Sequence, residues 1–416
     1  MRINHLGDYG TQFGKMICAY RRWGNKEDVI KEPIKSLLSY YTKFHEEAEK
    51  DPALEDEARA IFAKLEKGEL EEVELWQWFR DESLKEFNRV YDMLGITFDS
   101  YNGESFYSDK MPRFVQELKD KGLLVEDAGA QIVKLDEYDL PPALITKSDG
   151  STLYITRDIA AAVYRKETYD FYKNIYVVAS QQNLHFQQWI KVIELLGYDW
   201  ANDCVHVPFG LVSMEEGTMS TRKGRVIFLE DVLNRAVEQT KQIIKEKNVN
   251  TENIEETAKE VGIGAVVFNE LSNYRIKDYV FSWDKVLNFE GETGPYVQYT
   301  HARACSILRN AGEDVITKAK SGFDAGYIVS ESAHRLISLI YEMPEIIVEA
   351  GEKYEPSVVT RHIVDIAQAF NKFYHDEHIL VDNEDEKTAK VALVMAAKTA
   401  IKNGLGLLGM KAPEKM

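Results

Sequence analysis

The chain has 416 residues, 44% of them hydrophobic, enough for roughly two to four domains with cores of their own, which excludes a disordered polymer. A formal charge of −18 excludes bulk attraction to nucleic acid or anionic membrane, so any RNA contact must come from locally clustered Lys and Arg. Cys18, Cys204 and Cys305 are far apart with no CxxC spacing, which argues against a disulfide framework or thiolate zinc site and fits a reducing, cytoplasmic setting; no run approaches the roughly 18 apolar residues of a membrane span.

Residues 3–14 are turn-rich, with Gly7, Gly10 and Gly14 beside Asp8 and Gln12, and read as a junction between a strand and a helix. Met1-Arg2-Ile3-Asn4-His5 has no apolar signal core. Helical spacing runs through residues 15–90, with an acidic segment at 46–74 that reads as solvated helix faces. The period then changes. Ala143-Leu144-Ile145-Thr146 and Thr152-Leu153-Tyr154-Ile155-Thr156 flank Ser148-Asp149-Gly150-Ser151, which predicts two strands closing a hairpin. A helix over 157–168, a buried strand over 175–179 and a helix over 185–196 follow, an alternation that predicts a mostly parallel sheet. Residues 205–212 predict a further strand, running into a loop at 213–225 and a helix over 229–245. Beyond residue 257 strand signals fade, and amphipathic helices at 296–311, 332–350 and 356–373 predict an all-helical domain. Gly322, Gly326 and the charged run 382–387 read as its connections.

The loop at 213–225 carries Arg222, Lys223 and Arg225 among Gly and Ser residues. Between a strand and a helix, such a loop can surround a polyphosphate with cations and backbone amides and stabilise a leaving pyrophosphate. A solvated basic loop satisfies the same pattern. His375 and His378 stand three apart, but nothing is spaced to complete a ligand set, so no protein-bound metal is expected. Tyr296, Tyr299, Phe373 and Tyr374 fall at core-like helical spacing, although exposed members of such a set can stack unpaired bases.

The order of residues narrows these readings. Met219-Ser220-Thr221-Arg222-Lys223-Gly224 resembles the KMSKS loop of class I aminoacyl-tRNA synthetases in its arginyl-tRNA synthetase form, and His206-Val207-Pro208-Phe209-Gly210-Leu211-Val212 resembles the strand leading to it. His5-Leu6-Gly7-Asp8-Tyr9-Gly10-Thr11-Gln12-Phe13-Gly14, Tyr154-Ile155-Thr156-Arg157-Asp158, Ala179-Ser180-Gln181-Gln182-Asn183-Leu184-His185 and Tyr296-Val297-Gln298-Tyr299-Thr300-His301-Ala302-Arg303 are similar to further segments of that family, in the family's order. The C-terminal stretch, Gly404 through Met416, resembles the family's end.

The resemblance implies an incomplete Rossmann-like class I catalytic domain over residues 1–225 with a largely helical insertion at about 15–140, a helical connection at 226–290, and an all-α, DALR-type anticodon-binding bundle at 291–416. It implies ATP-dependent, AMP-forming ligation of arginine to the 3′-terminal adenosine of tRNA-Arg, with Mg2+ accompanying ATP. Ser220, Thr221, Arg222 and Lys223 would be catalytic; His185, Gly210, Val212 and Met219 would bind ATP; Tyr296, Tyr299, Arg303, Tyr374 and Met416 would bind tRNA. Tyr154, Asp158 and Gln182 would read the arginine side chain, whose planar guanidinium suits a carboxylate fork. A helix-terminal carboxylate is the other reading of Asp158, and a capping or packing role that of His185.

Three departures from the family pattern carry expectations. No His-Ile-Gly-His-type tetrad occurs in the 416 residues, so half of the ATP site and one strand of the sheet are expected to be missing, leaving an open edge and marginal stability. A catalytically incomplete fragment that binds tRNA or arginine, or one half of a split enzyme completed by a separate chain, is then the alternative. Thr221 stands where KMSKS has its second lysine, which makes Lys223 the candidate displaced cation, and Val391-Ala392-Leu393-Val394 replaces the Asp-Ala-Leu-Arg type of sequence.

Overall fold

Apolar periodicity and short polar connections sort the chain into two compact units in the computed structural model, which describes residues 1–147, 154–214, 226–246, 253–288 and 291–416. The first holds Met1–Asp92, Ile96–Leu211 and Val226; the second is built from Met93–Gly95, Val212–Met214 and Ile227–Met416.

The first unit opens with helices α1 (Thr11–Trp23), α2 (Lys26–Lys31), α3 (Pro33–Ala48), α4 (Ala53–Glu66) and α5 (Leu70–Leu94). Asn25 caps α2 by accepting from the Glu27 amide at 2.8 Å, and Pro33 at the first position of α3 needs no donor there. Ile17, Phe44, Leu54, Ile61 and Phe79 interleave as one helical core. Large side chains of this kind contribute about 1.5–3 kcal/mol each on burial.

Helix α6 (Met111–Asp120) leads to an antiparallel meander of β1 (Leu124–Asp127), β2 (Ala130–Val133) and β3 (Ala143–Thr146). The first reversal has only two loop residues, and Ala128 and Gly129 both take positive φ, at 49° and 83°, the backbone hand that matches strand twist in a tight hairpin. Then come α7 (Tyr154–Tyr169), β4 (Asn174–Ala179), α8 (Asn183–Leu195) and β5 (Cys204–Phe209), with β4 and β5 parallel from Asn174↔Cys204 to Ala179↔Phe209. Trp189 of α8 is fully buried against Tyr176 and Phe186, in a core that also takes in Ile145 of β3 and Ile159 of α7. Ile175 and Val177, on the other side of the β4 pleat, are 48% and 64% exposed, and among the described residues β4 pairs with β5 alone.

In the second unit β6 (Val212–Met214) pairs in parallel with β7 (Tyr279–Phe281), and the remainder is helical: α9 (Leu229–Glu246), α10 (Ile254–Ser272), α11 (Trp283–Val286), α12 (Gly294–Ala311), α13 (Glu313–Ser321), α14 (Glu331–Lys353), α15 (Ser357–Asp376) and α16 (Glu384–Leu407). Ser330 caps α14 through the Ala333 amide, and Asn383 caps α16 through the amides of Asp385 and Glu386. Leu336, Ile363, Phe370, Val394, Ile401 and Leu405 fill the bundle core. Among the described residues no helix is long and apolar enough to cross a membrane.

Several sequence expectations are corrected here. Residues 154–156 are the first turn of α7 rather than a strand, because Ile155, Thr156 and Arg157 are all buried and the Thr156 hydroxyl donates to Ile145 O at 2.9 Å. Packing overrides the strand propensity of the β-branched pair. The expected hairpin turn at 148–151 lies outside the described residues. The parallel pairing expected of the strands near 175–179 and 205–212 is seen between β4 and β5, whereas β3 belongs to a separate antiparallel sheet with β1 and β2. The segment 15–140 is largely helical as expected but also contains β1 and β2; the strand expected over 205–212 ends at Phe209; and the stretch after residue 257 contains β7.

Candidate functional site

In the first unit, two turns of backbone bring a polar cluster together. Asp8 is buried in the turn-rich N-terminal segment, where Oδ2 accepts from Arg80 Nε and Ser105 Oγ, each at 2.9 Å, and Oδ1 from the Ser105 amide at 2.9 Å. Gly103 lets this happen: a Cβ there would stand 2.5 Å from Leu6 O and 2.6 Å from Asp8 Oδ1. The next residue, Glu104, accepts from Arg157 Nη1 at 2.6 Å, and the Arg157 guanidinium lies 5.3 Å from the ring centre of Tyr9 and 5.8 Å from that of Tyr154. Burial pushes the Glu104 carboxyl up, with Asp158 and Asp8 adding to the rise against the pull of Arg157.

Because α7 begins at Tyr154, Tyr154 and Asp158 are one helical turn apart and share a face. The Asp158 carboxylate is half-buried, and its Oδ2 meets His185 Nε2 of α8 at 2.5 Å. Two turns further along α7, Arg165 is buried between Tyr107 and Tyr176 and donates to His5 Nδ1 at 3.0 Å. His5, Asp8, Glu104, Arg157 and Arg165 were not among the residues singled out from sequence. Their pairings span 53 to 160 residues, which no local spacing reveals. His5, Asp8 and Arg157 had one signal, their place in the motif strings around His5 and Arg157, and Glu104 and Arg165 had none.

Of the sequence candidates in this unit, the structure joins Asp158 to His185. Tyr154 and Gln182 are exposed, Gln182 in the turn that precedes α8, and Gly210 follows β5. Val212 belongs to the second unit, paired with Tyr279. Met219, Ser220, Thr221, Arg222 and Lys223 lie outside the described residues.

In the second unit, Arg303 of α12 lies 5.0 Å from the ring centre of Tyr299 and 5.5 Å from that of Tyr374 on α15, an exposed aromatic, cation, aromatic array. Asn371 ties it down: it accepts from Arg303 Nη1 and donates to Tyr296 Oη at 2.9 Å and Thr300 Oγ1 at 3.0 Å. Four of the five tRNA candidates therefore meet. Met416 does not join them, because the C-terminal tail runs along the opposite face of α12. There Gln298 donates to Lys411 O at 2.9 Å, His301 Nδ1 to Pro413 O at 2.9 Å and Arg309 to Glu414 O at 3.1 Å. Burial lowers the His301 imidazole below its ordinary range, despite the Pro413 bond.

The family described as tRNA synthetases class I (R), catalytic domain, matches residues 1–283, and the DALR anticodon binding domain matches residues 297–416. The chain is 61% identical over 414 residues to an arginine–tRNA ligase of Halothermothrix orenii and 62% identical over 416 residues to one of Clostridioides difficile, covering 100% of this chain and 72% and 73% of theirs. Among solved structures, arginyl-tRNA synthetase of Thermus thermophilus superposes with a TM-score of 0.85 at 25% identity, over 100% of this chain and 75% of that one. That of Plasmodium falciparum superposes with a TM-score of 0.82 at 26% identity, over 100% and 70%. With matches that run through both units and span the polar cluster and the aromatic array alike, the chain belongs to the class I arginyl-tRNA synthetase family.

Proposed function

We infer that the chain acts as an arginine–tRNA ligase. The carboxylate of arginine attacks the α-phosphate of ATP, pyrophosphate leaves, and the arginyl group passes from AMP to the terminal adenosine of tRNA-Arg. The observation that carries this reading is the Asp158 carboxylate, one turn from Tyr154 and held by His185, in a cluster where Glu104 and Asp8 already have arginine partners. Asp158 is thus the carboxylate left for a substrate guanidinium, with Tyr154 one turn before it and Gln182, in the turn that leads into α8, as the further residues assigned to the arginine side chain. Positioning and charge stabilisation are the protein's contribution.

On this reading His185, Gly210, Val212 and Met219 serve ATP, which brings Mg2+ as its own phosphate-bound ion, and Ser220, Thr221, Arg222 and Lys223 stabilise the leaving pyrophosphate. Lys223→Ala should then lower turnover with little change in ATP affinity. Residues 1–225 form the catalytic domain, 226–290 the connection and 291–416 the anticodon-binding domain, where Tyr296, Tyr299, Arg303 and Tyr374, with Met416, meet tRNA. The three cysteines among the described residues are free and buried, in keeping with a cytoplasmic setting.

The edge of β4 away from β5, which pairs with no described strand, together with the exposed Ile175 and Val177 on one face of that strand, favours a second reading in which a separate chain adds a strand there to complete the site. Arginylation of tRNA-Arg by the purified 416-residue chain, followed to a single turnover, tests both. Charging by the chain alone supports the first reading; charging only after a segment of the relatives beyond the matched 72–73% is added supports the second. No charging in either case would refute the assignment.

A further inference from the structure

The outer face of α14 is unlike the rest of the bundle. Ile337, Tyr341, Pro344 and Val348 recur at spacings of four, three and four, so they form one stripe along the helix. The stripe faces away from the core residues Leu336, Leu339 and Met343, and its side chains stand in water: Ile337 is 40% exposed, Tyr341 83% and Val348 59%. Single exposed apolar residues are ordinary, but a stripe at helical period is the pattern of a face that receives another helix.

Its rim has one sign of charge. From Tyr341 to Glu352 the helix carries Glu342, Glu345, Glu349 and Glu352 and no Lys or Arg. Glu349 is bridged by Lys353 at 2.7 Å, whereas Glu342, Glu345 and Glu352 are exposed and make no ion pair with a described residue. Pro344 has no amide hydrogen, so the Ile340 carbonyl lacks its usual donor one turn on and is left as a further acceptor beside the stripe. Carboxylates and a spare carbonyl call for donors and positive charge.

We propose that this face docks a basic amphipathic helix of a partner protein, whose apolar side covers Ile337, Tyr341 and Val348 while flanking Lys or Arg meet Glu342, Glu345 and Glu352. RNA is disfavoured because its phosphates would face three unpaired carboxylates. A second copy of the chain, laid stripe to stripe, would set the same carboxylates against one another.

The test uses the full 416-residue chain and a fluorescent 18-residue helical peptide with leucines at spacings of three and four and lysines on the flanks, with a scrambled peptide of the same composition as control. Anisotropy should show binding of the patterned peptide only. Tyr341→Ser with Val348→Ser should weaken it by about tenfold or more, since buried aromatics dominate such contacts. Glu342→Lys with Glu345→Lys should weaken it and flatten its salt dependence. All four substitutions are at exposed positions, and unchanged circular dichroism and melting would confirm that the fold persists. Equal binding to the parent and the variants, equal binding of the scrambled peptide, displacement of the peptide by tRNA, or sedimentation as a dimer that Tyr341→Ser dissolves would each overturn the proposal.

Discussion

The His185 imidazole meets the Asp158 carboxylate at 2.5 Å, tying the first turn of α8 to the second turn of α7. One carboxylate oxygen is thereby held while the other is left for a ligand, so that His185, beside the ATP role proposed for it, also positions Asp158 for whatever cation that carboxylate receives. In an arginine-activating preparation, Asp158→Asn should remove the preference for arginine over neutral citrulline, with a loss for arginine of about 1.5–3 kcal/mol. His185→Ala should raise the KM for arginine more than it lowers kcat. Pyrophosphate exchange with both amino acids measures this, and equal use of citrulline by the parent protein would refute the ion pair.

Arg157 and Glu104 are both largely buried, so removing one leaves the other uncompensated. Glu104→Leu should cost about 3–5 kcal/mol in urea unfolding, and adding Arg157→Met should recover most of that loss. Additive losses in the double variant would show that the two charges are not coupled.

Gly103→Ala tests the close approach beneath Asp8. Its φ of −84° suits any residue, so the effect is purely steric: the added methyl must displace the Leu6 carbonyl or the Asp8 carboxylate. We expect destabilisation of about 1–3 kcal/mol, with faster amide exchange at Ser105, whose N–H donates to Asp8. An unchanged Ser105 amide would contradict this packing.

The buried His301 gives a pH dependence with a definite sign. Its folded value lies below the ordinary one of about 6.5, so as pH falls through 6.5 the unfolded chain takes up the proton first. The stability contribution is present above that value and lost as pH falls toward the folded value. His301→Gln, which keeps a donor for Pro413 O, should lose less melting temperature between pH 7.5 and 5.5 than the parent does. His301→Ala should instead expose the tail to carboxypeptidase at neutral pH. Parallel melting profiles for the parent and the Gln variant would contradict the assignment.

Stacking and charge separate at the Tyr299, Arg303 and Tyr374 array. Arg303→Ala should weaken tRNA-Arg binding by about tenfold and lower the slope of log affinity against log salt by about one ion. Tyr299→Ala should weaken binding to a similar degree without changing that slope. Filter binding across a salt series distinguishes the two, and unchanged affinity in both would remove this surface from the RNA interface.

The sequence alone determined the elements with strong periods and the order of the motifs. Helices at 229–246, 294–311, 331–353 and 357–376, and the strand that begins at Asn174, lie within a few residues of their expected bounds, because 3.6-residue and buried-strand patterns are local properties. The motif order was likewise enough to point to the family, and it placed Asp158, His185 and Arg303 among the candidates. Tertiary structure decided the rest. The β1–β2 hairpin turns on Ala128 and Gly129 between strands of only four residues each, and β7 is three residues long, so neither carries a period to detect. Residues 154–156 became helix because burial against β3 outweighed a β-branched propensity worth at most about 1 kcal/mol. The polar cluster was hidden for the same reason: Asp8 meets Ser105 and Arg165 meets His5 only after the chain has closed loops of 97 and 160 residues, and the desolvation that makes those pairings obligatory exists only in the folded state.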